Sequence, residues 1–363
     1  MIKKAMIMAA GVGTRLNPLT LKVPKPMVPV VNTPILEFIL RHLQKFGIND
    51  VVANTHYISE RIHKAYGGKN RLGVNFKYVY ESELSGTAGG LKKTEFFFKP
   101  GETFIVVSGD ALTDVNVEKL YKQHKKTGAI ATMALRKIPM AEVSHFGVVV
   151  IDKNSKVIGF QEKPSPEEAK SNLVNTGIYI FETAIFKYIS ANMFYDFAKN
   201  VFPAMMANNE LLCAHVIEDY WNDIGTIKQY KSSSLDLLSS KTALQMPYKE
   251  TNNGWIADSS IISSSVVFED KIVIGEGTTI EGNVKFSGKN IIGNNCIIKA
   301  GARIESSIIW DNVIVGENVS LDNSIIANNV KINPHLSIER DSVIGHDKII
   351  SCPEDYLSDV VKV

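Results

Sequence analysis

Two periodicities divide the chain. From Ala5 to about Tyr230, short apolar runs alternate with segments whose apolar residues recur three and four positions apart. The first kind predicts strands at Ala5–Ala10, Asp50–Asn54, Asn75–Tyr80, Phe104–Ser108 and Ala129–Leu135. The second predicts helices at Ile35–Phe46, Ile58–Ala65 and Val117–Lys126. Strands and helices in alternation imply an α/β fold built on a mostly parallel sheet. Ligands of such sheets bind beyond the carboxyl ends of the strands, where Gly11 and Gly109 both fall.

Beyond about Ser239 the period becomes six. Apolar residues stand at Ile262, Phe268, Ile274, Ile280, Phe286, Ile292, Ile298 and Ile304; after a five-residue step they continue at Ile309, Val315 and Leu321. A second five-residue step leads to Ile326, Ile332, Ile338 and Ile344. Glycine and asparagine fill the intervals, as in Gly275, Gly277, Gly282, Gly293, Asn294, Asn295, Gly301, Gly316 and Asn318. This is the hexapeptide pattern of a parallel β-helix, with β-branched side chains stacked inward and turn residues at the corners. An antiparallel meander would show a period of two instead. The expected organisation is a first domain over 1–240, a linker over 241–256, a β-helix of roughly five coils over 257–350 and a tail over 351–363.

Composition narrows the function. With 363 residues, 45% hydrophobic and 21% charged, the chain is an ordinary globular one, and its net charge of +2 offers no broad basic face for nucleic acid. Small molecules are the expected partners. The three cysteines Cys213, Cys296 and Cys352 lack metal-type spacing and suit a reducing compartment. The start of the chain reads as a strand rather than a targeting segment, and no apolar stretch is long enough to span a membrane. A cytoplasmic protein is expected.

The chemistry begins at the first strand. Lys4 to Ala10 runs into Gly11-Val12-Gly13-Thr14-Arg15-Leu16, and Lys25 follows about ten residues later. Closely spaced glycines let the backbone approach an anion with its N–H groups pointing at the oxygens, and Arg15 and Lys25 add positive charge. The segment has neither the Gly-Lys-Ser/Thr of a P-loop nor the third glycine of a dinucleotide fingerprint. Pro18, Pro24, Pro26 and Pro29 bar an ordinary helix between Leu16 and Val30, so a long stiffened loop is expected.

Gly11 to Thr20 followed by Val23-Pro24-Lys25-Pro26-Met27-Val28-Pro29-Val30 resembles the signature of the sugar-1-phosphate nucleotidyltransferases. The resemblance implies a Rossmann-like nucleotidyltransferase domain followed by a left-handed hexapeptide β-helix. Further segments stand in the order it requires. Glu81 to Gly90 contains Gly86-Thr87-Ala88-Gly89, similar to the family's base-binding segment. The strand Phe104–Ser108 ends in Gly109-Asp110, and Asp219 to Thr226 supplies a second acid, Asp223. Phe146-Gly147-Val148-Val149, Phe160-Gln161-Glu162-Lys163-Pro164 and Val174-Asn175-Thr176-Gly177 resemble sugar-phosphate segments, although many relatives have Tyr where Phe146 stands.

What the resemblance implies is a two-substrate site. Ala10, Gly11, Gly13, Thr14, Gly86, Thr87 and Gly109 would bind the nucleotide; Gly147, Glu162, Lys163, Asn175, Thr176 and Gly177 the sugar phosphate; Asp110 and Asp223 a Mg²⁺ ion. Arg15 and Lys25 would be catalytic. The expected reaction is transfer of a nucleotidyl group to a hexose 1-phosphate with release of pyrophosphate. The segments around Lys25 and Thr87 resemble mannose-1-phosphate guanylyltransferases, with glucose-1-phosphate adenylyltransferase the alternative. A non-catalytic regulatory subunit is the alternative of another class, and survival of Arg15, Lys25, Asp110, Lys163 and Asp223 argues for an enzyme. The eight histidines show no triad or metal spacing. A CoA-dependent activity of the β-helix is disfavoured because Asn333-Pro334-His335 matches no acyltransferase segment. The β-helix is expected to serve homo-oligomer assembly.

Overall fold

The computed structural model describes residues 1–357, and the last part of the expected tail, from 358 on, lies outside the described residues. The described residues cluster into two compact units. One comprises Met1–Val12 and Leu36–Asp223; the other comprises Gly13–Ile35 and the chain from Ile224 onward. The proline-rich loop of Arg15 and Lys25 therefore belongs to the second unit. Among the described residues no helix is long and apolar enough to cross a membrane.

The first unit is an α/β sheet. Its strands are β1 (Lys4–Ala9), β2 (Asp50–Thr55), β3 (Asn75–Tyr80), β4 (Thr103–Ser108), β5 (Ala111–Thr113), β6 (Ala131–Lys137), β7 (Gly147–Ile151), β8 (Val157–Glu162), β9 (Leu173–Glu182), β10 (Leu212–Ile217) and β11 (Trp221–Asp223). Hydrogen bonding runs in the order β8-β7-β9-β4-β1-β2-β3, with β6 pairing both β9 and β10. The pairs β4-β1, β1-β2 and β2-β3 are parallel, whereas β9 pairs antiparallel with β4, and β7 with β8. The central parallel strands β1, β2 and β4 are nearly continuous buried apolar runs because both of their faces are covered, whereas β3 alternates and is largely exposed.

The helices form where the pattern and the caps agree. They are α1 (Ile35–Lys45), α2 (Ser59–Tyr66), α3 (Gly86–Lys93), α4 (Val117–Thr127), α5 (Phe202–Ala207) and, in the second unit, α6 (Ile227–Leu238). Asn116 caps α4 by accepting from Lys119 N at 2.9 Å, and Gly128 ends it in the left-handed conformation. Leu36, Ile39, Leu40 and Leu43 form the buried stripe of α1. Met6, Phe104, Val106, Tyr179, Phe181, Phe197 and Phe202 lie in one buried cluster, each contributing roughly 1.5–3 kcal/mol of burial.

In the second unit, three parallel sheets form the faces of a β-helix. Ile274 pairs with Ile292, Ile292 with Ile309, Ile309 with Ile326 and Ile326 with Ile344, so one coil takes seventeen or eighteen residues. Every apolar position of the hexad series lies in, or packs on, a single core cluster. The two five-residue steps also have a physical basis. Ser306 and Asn323 turn the chain with φ of 46° and 51°, and the small buried Ser307 and Ser324 follow. Ser307 N–H donates to Asn290 Oδ1 at 2.8 Å and Ser324 N–H to Ser307 Oγ at 3.0 Å, so the tightened corner keeps its backbone satisfied.

The β-helix begins earlier than the expected boundary. Within the segment 241–256, Glu250–Thr251 and Gly254–Ile256 form a hairpin, and Trp255 pairs in parallel with Val273 as the first rung of one face. Gly254 turns it with φ of 123°; a Cβ there would lie 2.1 Å from Ile272 O. A single rung with one large apolar residue carries too little period to be read as a repeat.

Candidate functional site

In the first unit the site grows from the carboxyl ends of β1 and β4. Gly109 N–H donates to Met8 O at 2.9 Å, and a Cβ on Gly109 would meet that same oxygen at 2.7 Å. Only glycine permits this crossing. The chain emerges as Asp110, whose carboxylate accepts from Ser108 Oγ, and enters β5. There Ala111, the next residue, is the ladder partner of Asp223 on β11. A three-residue ladder thus brings the backbone of Asp223 next to the residue that follows Asp110, from a segment more than a hundred residues away. Two hard oxygen donors with no His or Cys suit Mg²⁺, which takes one or two carboxylates and completes its shell with water and phosphate. Among the described residues no cluster of three or more metal-ligating side chains occurs.

Residues of the three segments expected to bind the sugar phosphate line one cavity. This cavity, of about 310 Å³, is lined by Thr87, Gly147, Glu162, Asn175, Asp196 and Lys199 among others. The ladder between β9 and β6 is interrupted between Asn175 and Tyr179. In this bulge Asn175 donates from Nδ2 to the Tyr179 hydroxyl at 2.7 Å, and Gly177 N–H donates to Asn175 Oδ1 at 3.2 Å. Burial drives the Tyr179 phenol upward, so it stays protonated. Gly177 has φ of 72°, and a Cβ there would lie 2.9 Å from Ser108 Cβ. The bulge is thereby pressed against the strand that ends in Asp110.

Two expected residues have distinct settings. Thr176 is buried; its hydroxyl donates to Ala134 O at 2.7 Å, and its carbonyl accepts from Trp221 Nε1 at 3.0 Å. Its side chain supports the bulge from inside the sheet. Lys163 is more than half exposed, with Nζ 3.9 Å from Glu162 Oε1, and its backbone is left-handed with φ of 46°. That conformation costs a non-glycine residue roughly 1–2 kcal/mol.

The segment expected to bind the base is helical. Gly86–Lys93 forms α3, and Ala88 and Gly89 donate their N–H groups to Tyr195 O at 2.9 and 3.0 Å. A Cβ on Gly86 would lie 2.4 Å from that oxygen. Thr87 Oγ1 donates to Asp196 Oδ2 at 2.9 Å and accepts from Phe197 N–H at 3.0 Å. Behind α3 lies Glu81, only 1% exposed. It accepts from Asn54 Nδ2 at 2.6 Å, Ser85 N–H at 3.0 Å and Lys93 Nζ at 3.2 Å, while Asn54 Oδ1 accepts from Ala9 N–H at 3.0 Å. This relay ties the end of β1, just before Ala10 and Gly11, to the start of α3. Gly11 itself is exposed, with nothing within 4 Å of a would-be Cβ.

Glu81, Asn54, Asp196 and Lys199 were not singled out from sequence. Asp196 and Lys199 face the same cavity from a separate segment, and Glu81 and Asn54 act through the fold, so no sequence spacing joins them.

The remaining expected residues, Gly13, Thr14, Arg15 and Lys25, belong to the second unit. Three short 3₁₀ turns, Thr14–Leu16, Leu19–Leu21 and Lys25–Met27, make up the stiffened loop. Gly13 has φ of 76°, and a Cβ there would meet Lys25 Cβ at 3.0 Å and Thr20 Cγ2 at 3.2 Å. Thr20 Oγ1 donates to Gly13 O at 2.8 Å. The loop thus closes on itself and buries the stem of Lys25, while Arg15 stays exposed.

With this geometry in hand, comparison with known proteins decides the family. The family model described as nucleotidyl transferase matches residues 4–240. The chain belongs to the nucleotidyl transferase family. A second model, for the left-handed β-helix domain of the EIF2B epsilon subunit, matches residues 251–353 and agrees with the hexad core. This nucleotidyltransferase is 36% identical over 321 residues to a UTP–glucose-1-phosphate uridylyltransferase of Synechocystis sp., covering 85% of this chain and 82% of the relative. It is 28% identical to a mannose-1-phosphate guanylyltransferase of Mycobacterium tuberculosis, covering 83% and 82%. Among solved structures, a UDP-glucose pyrophosphorylase from Acinetobacter baumanii superposes with a TM-score of 0.60 at 21% identity, covering 68% of this chain and 96% of that one, a likeness of fold.

Proposed function

We propose that the enzyme joins a nucleoside triphosphate to a hexose 1-phosphate. A phosphate oxygen of the sugar phosphate attacks the α-phosphorus; the new P–O bond forms as the bond from that phosphorus to the β,γ-unit breaks, and pyrophosphate leaves with the electron pair. A phosphate monoester is already anionic near neutral pH, so no side-chain nucleophile is required. Positioning and charge neutralisation carry the rate. The observation that carries this reading lies at the end of β4 in the first unit, where Ser108 bonds Asp110 and meets the Asn175–Gly177 bulge, and the next residue after Asp110, Ala111, is the ladder partner of Asp223.

The residues take corresponding roles. Asp110 and Asp223 would hold a divalent ion, Mg²⁺ by the hardness of its donors, which neutralises triphosphate charge when bound. Glu162 and Asn175 would accept from and donate to sugar hydroxyls, and Lys163 would meet the sugar's phosphate. Thr87 and the glycines of α3 would receive the base. Arg15 and Lys25 would neutralise the departing and the reacting phosphates. The β-helix is proposed to carry contacts between identical subunits.

Two substrate pairs have support. Identity along most of the chain to the Synechocystis relative favours UTP with glucose 1-phosphate. The segments around Lys25 and Thr87, together with guanylyltransferase relatives such as that of Dictyostelium discoideum at 34% identity, favour GTP with mannose 1-phosphate. Pyrophosphate release measured with four triphosphates against glucose, mannose and galactose 1-phosphates decides between them. The uridylyl pair is expected to turn over fastest. Preference for the guanylyl pair would instate the second reading, and silence with every pair would leave a regulatory subunit.

A further inference from the structure

We propose that Trp310 of the β-helix is the keystone that positions the loop of Arg15 and Lys25, acting through His346 on one side of Lys25 and Tyr230 on the other. The inference rests on the nucleotidyl-transfer reading and deepens it, by giving the β-helix a role in holding the triphosphate end.

All the contacts involved lie within the second unit. Trp310 is 2% exposed. Its Nε1 donates to the Tyr230 hydroxyl at 2.8 Å, and that hydroxyl donates to Pro29 O at 2.9 Å. The ring of Trp310 meets the His346 imidazole edge-on, with centroids 5.5 Å apart. The Nε2 of His346, a buried residue, donates to Leu19 O at 2.8 Å. The loop is therefore gripped at Leu19 and at Pro29, six residues before and four after Lys25. Beside these grips Lys22 pairs with Asp347, and a Cβ on Gly345 would lie 3.1 Å from Pro18 Cβ.

The loop needs such a grip. Its prolines limit its own hydrogen bonds to short 3₁₀ turns, such as Met27 N–H to Pro24 O at 2.8 Å, and to a two-residue ladder between Pro29–Val30 and Thr33–Pro34, so it has little regular structure of its own to hold it. A carbonyl held by a buried donor is fixed more firmly than one left to water, since an unpaired buried donor would cost about 1–3 kcal/mol. Arg15 and Lys25 act on a transferring phosphoryl group, where a displacement of about 1 Å can cost on the order of a hundredfold in rate. Trp310, His346 and Tyr230 are positioning residues in this sense: they touch the loop and no substrate.

The test uses the full chain. His346→Ala and Tyr230→Phe remove one grip each, Trp310→Phe removes the indole donor while keeping a ring, and His346→Gln restores a donor near Nε2. Amide hydrogen exchange of residues 13–35 is expected to quicken in the first three variants and to return toward wild type in His346→Gln, with exchange in β1, β4 and β9 unchanged. In the steady state, kcat/KM for the triphosphate is expected to fall roughly ten- to a hundredfold while KM for the sugar phosphate stays within about twofold. Unchanged loop exchange in all three variants would overturn the proposal. So would a loss shared equally by both substrates and not rescued by His346→Gln, which marks a general loss of structure. If wild type releases no pyrophosphate with any substrate pair, the nucleotidyl-transfer reading fails, and exchange alone still reports whether the grip exists.

Discussion

At the scale of single residues, the account turns on Asp110. Its place is set by Gly109, whose missing Cβ lets β4 cross the end of β1, and by the β5–β11 ladder that brings Asp223 to Ala111. Asp110→Asn keeps the shape and removes the charge. Turnover is expected to fall roughly a hundredfold or more, on the scale of losing a preorganised electrostatic partner, with the circular dichroism unchanged. Full activity of the variant at limiting Mg²⁺ would remove Asp110 from the metal site. Sequence could point to Asp110 because an acid after an apolar strand and a glycine is a local feature. It could not point to Glu81, whose carboxylate is held by Asn54, Ser85 and Lys93, nor show that the Thr176 hydroxyl is spent on Ala134 O.

At the scale of elements, two helices carry buried histidines that tie them to neighbouring backbone or strands. His42 of α1 donates from Nε2 to Val115 O at 2.8 Å. His124 of α4 lies 2.8 Å from Thr132 Oγ1 and 3.1 Å from Glu182 Oε1. Burial is the largest influence on both and lowers their pKa below the ordinary value. Each is then neutral in the fold and takes up a proton more readily when unfolded. Stability contributed by neutral His42 and His124 is present above about pH 6.5 and declines as pH falls through that value toward the depressed folded one. The melting temperature is expected to drop between pH 7.5 and 5.5, and His124→Gln to flatten that slope. Each kcal/mol lost should appear as about 2–4 °C. A flat profile in wild type would contradict it. The helix and strand boundaries themselves were legible to within a few residues, because amphipathic period and caps such as Asn116 coincide; the helical state of Gly86–Lys93 was not, because its glycines read as loop until Tyr195 O is seen to hold them.

At the scale of the whole molecule, the second period in the sequence marks a second core. The hexad series, from Ile274 to Ile344, is the interior of the β-helix, and a solenoid interior is stabilised coil by coil. Ile298→Ala, at a fully buried position, is expected to destabilise the β-helix by about 2–5 kcal/mol. Calorimetry should then resolve a transition that moves with this substitution and one that does not; a single transition shifting as a whole would show that the units unfold together. What periodicity could not reveal is that Gly13–Ile35, early in the chain, clusters with that late core. Contacts such as His346 with Leu19 span more than three hundred residues, and no local pattern encodes them.

The central claim is nucleotidyl transfer to a hexose 1-phosphate, and pyrophosphate release tests it most directly. Purified full-length enzyme with Mg²⁺, a nucleoside triphosphate and a hexose 1-phosphate is expected to release one pyrophosphate per nucleotide sugar formed, fastest with UTP and glucose 1-phosphate. Absence of pyrophosphate with all twelve pairs of the panel would contradict the account.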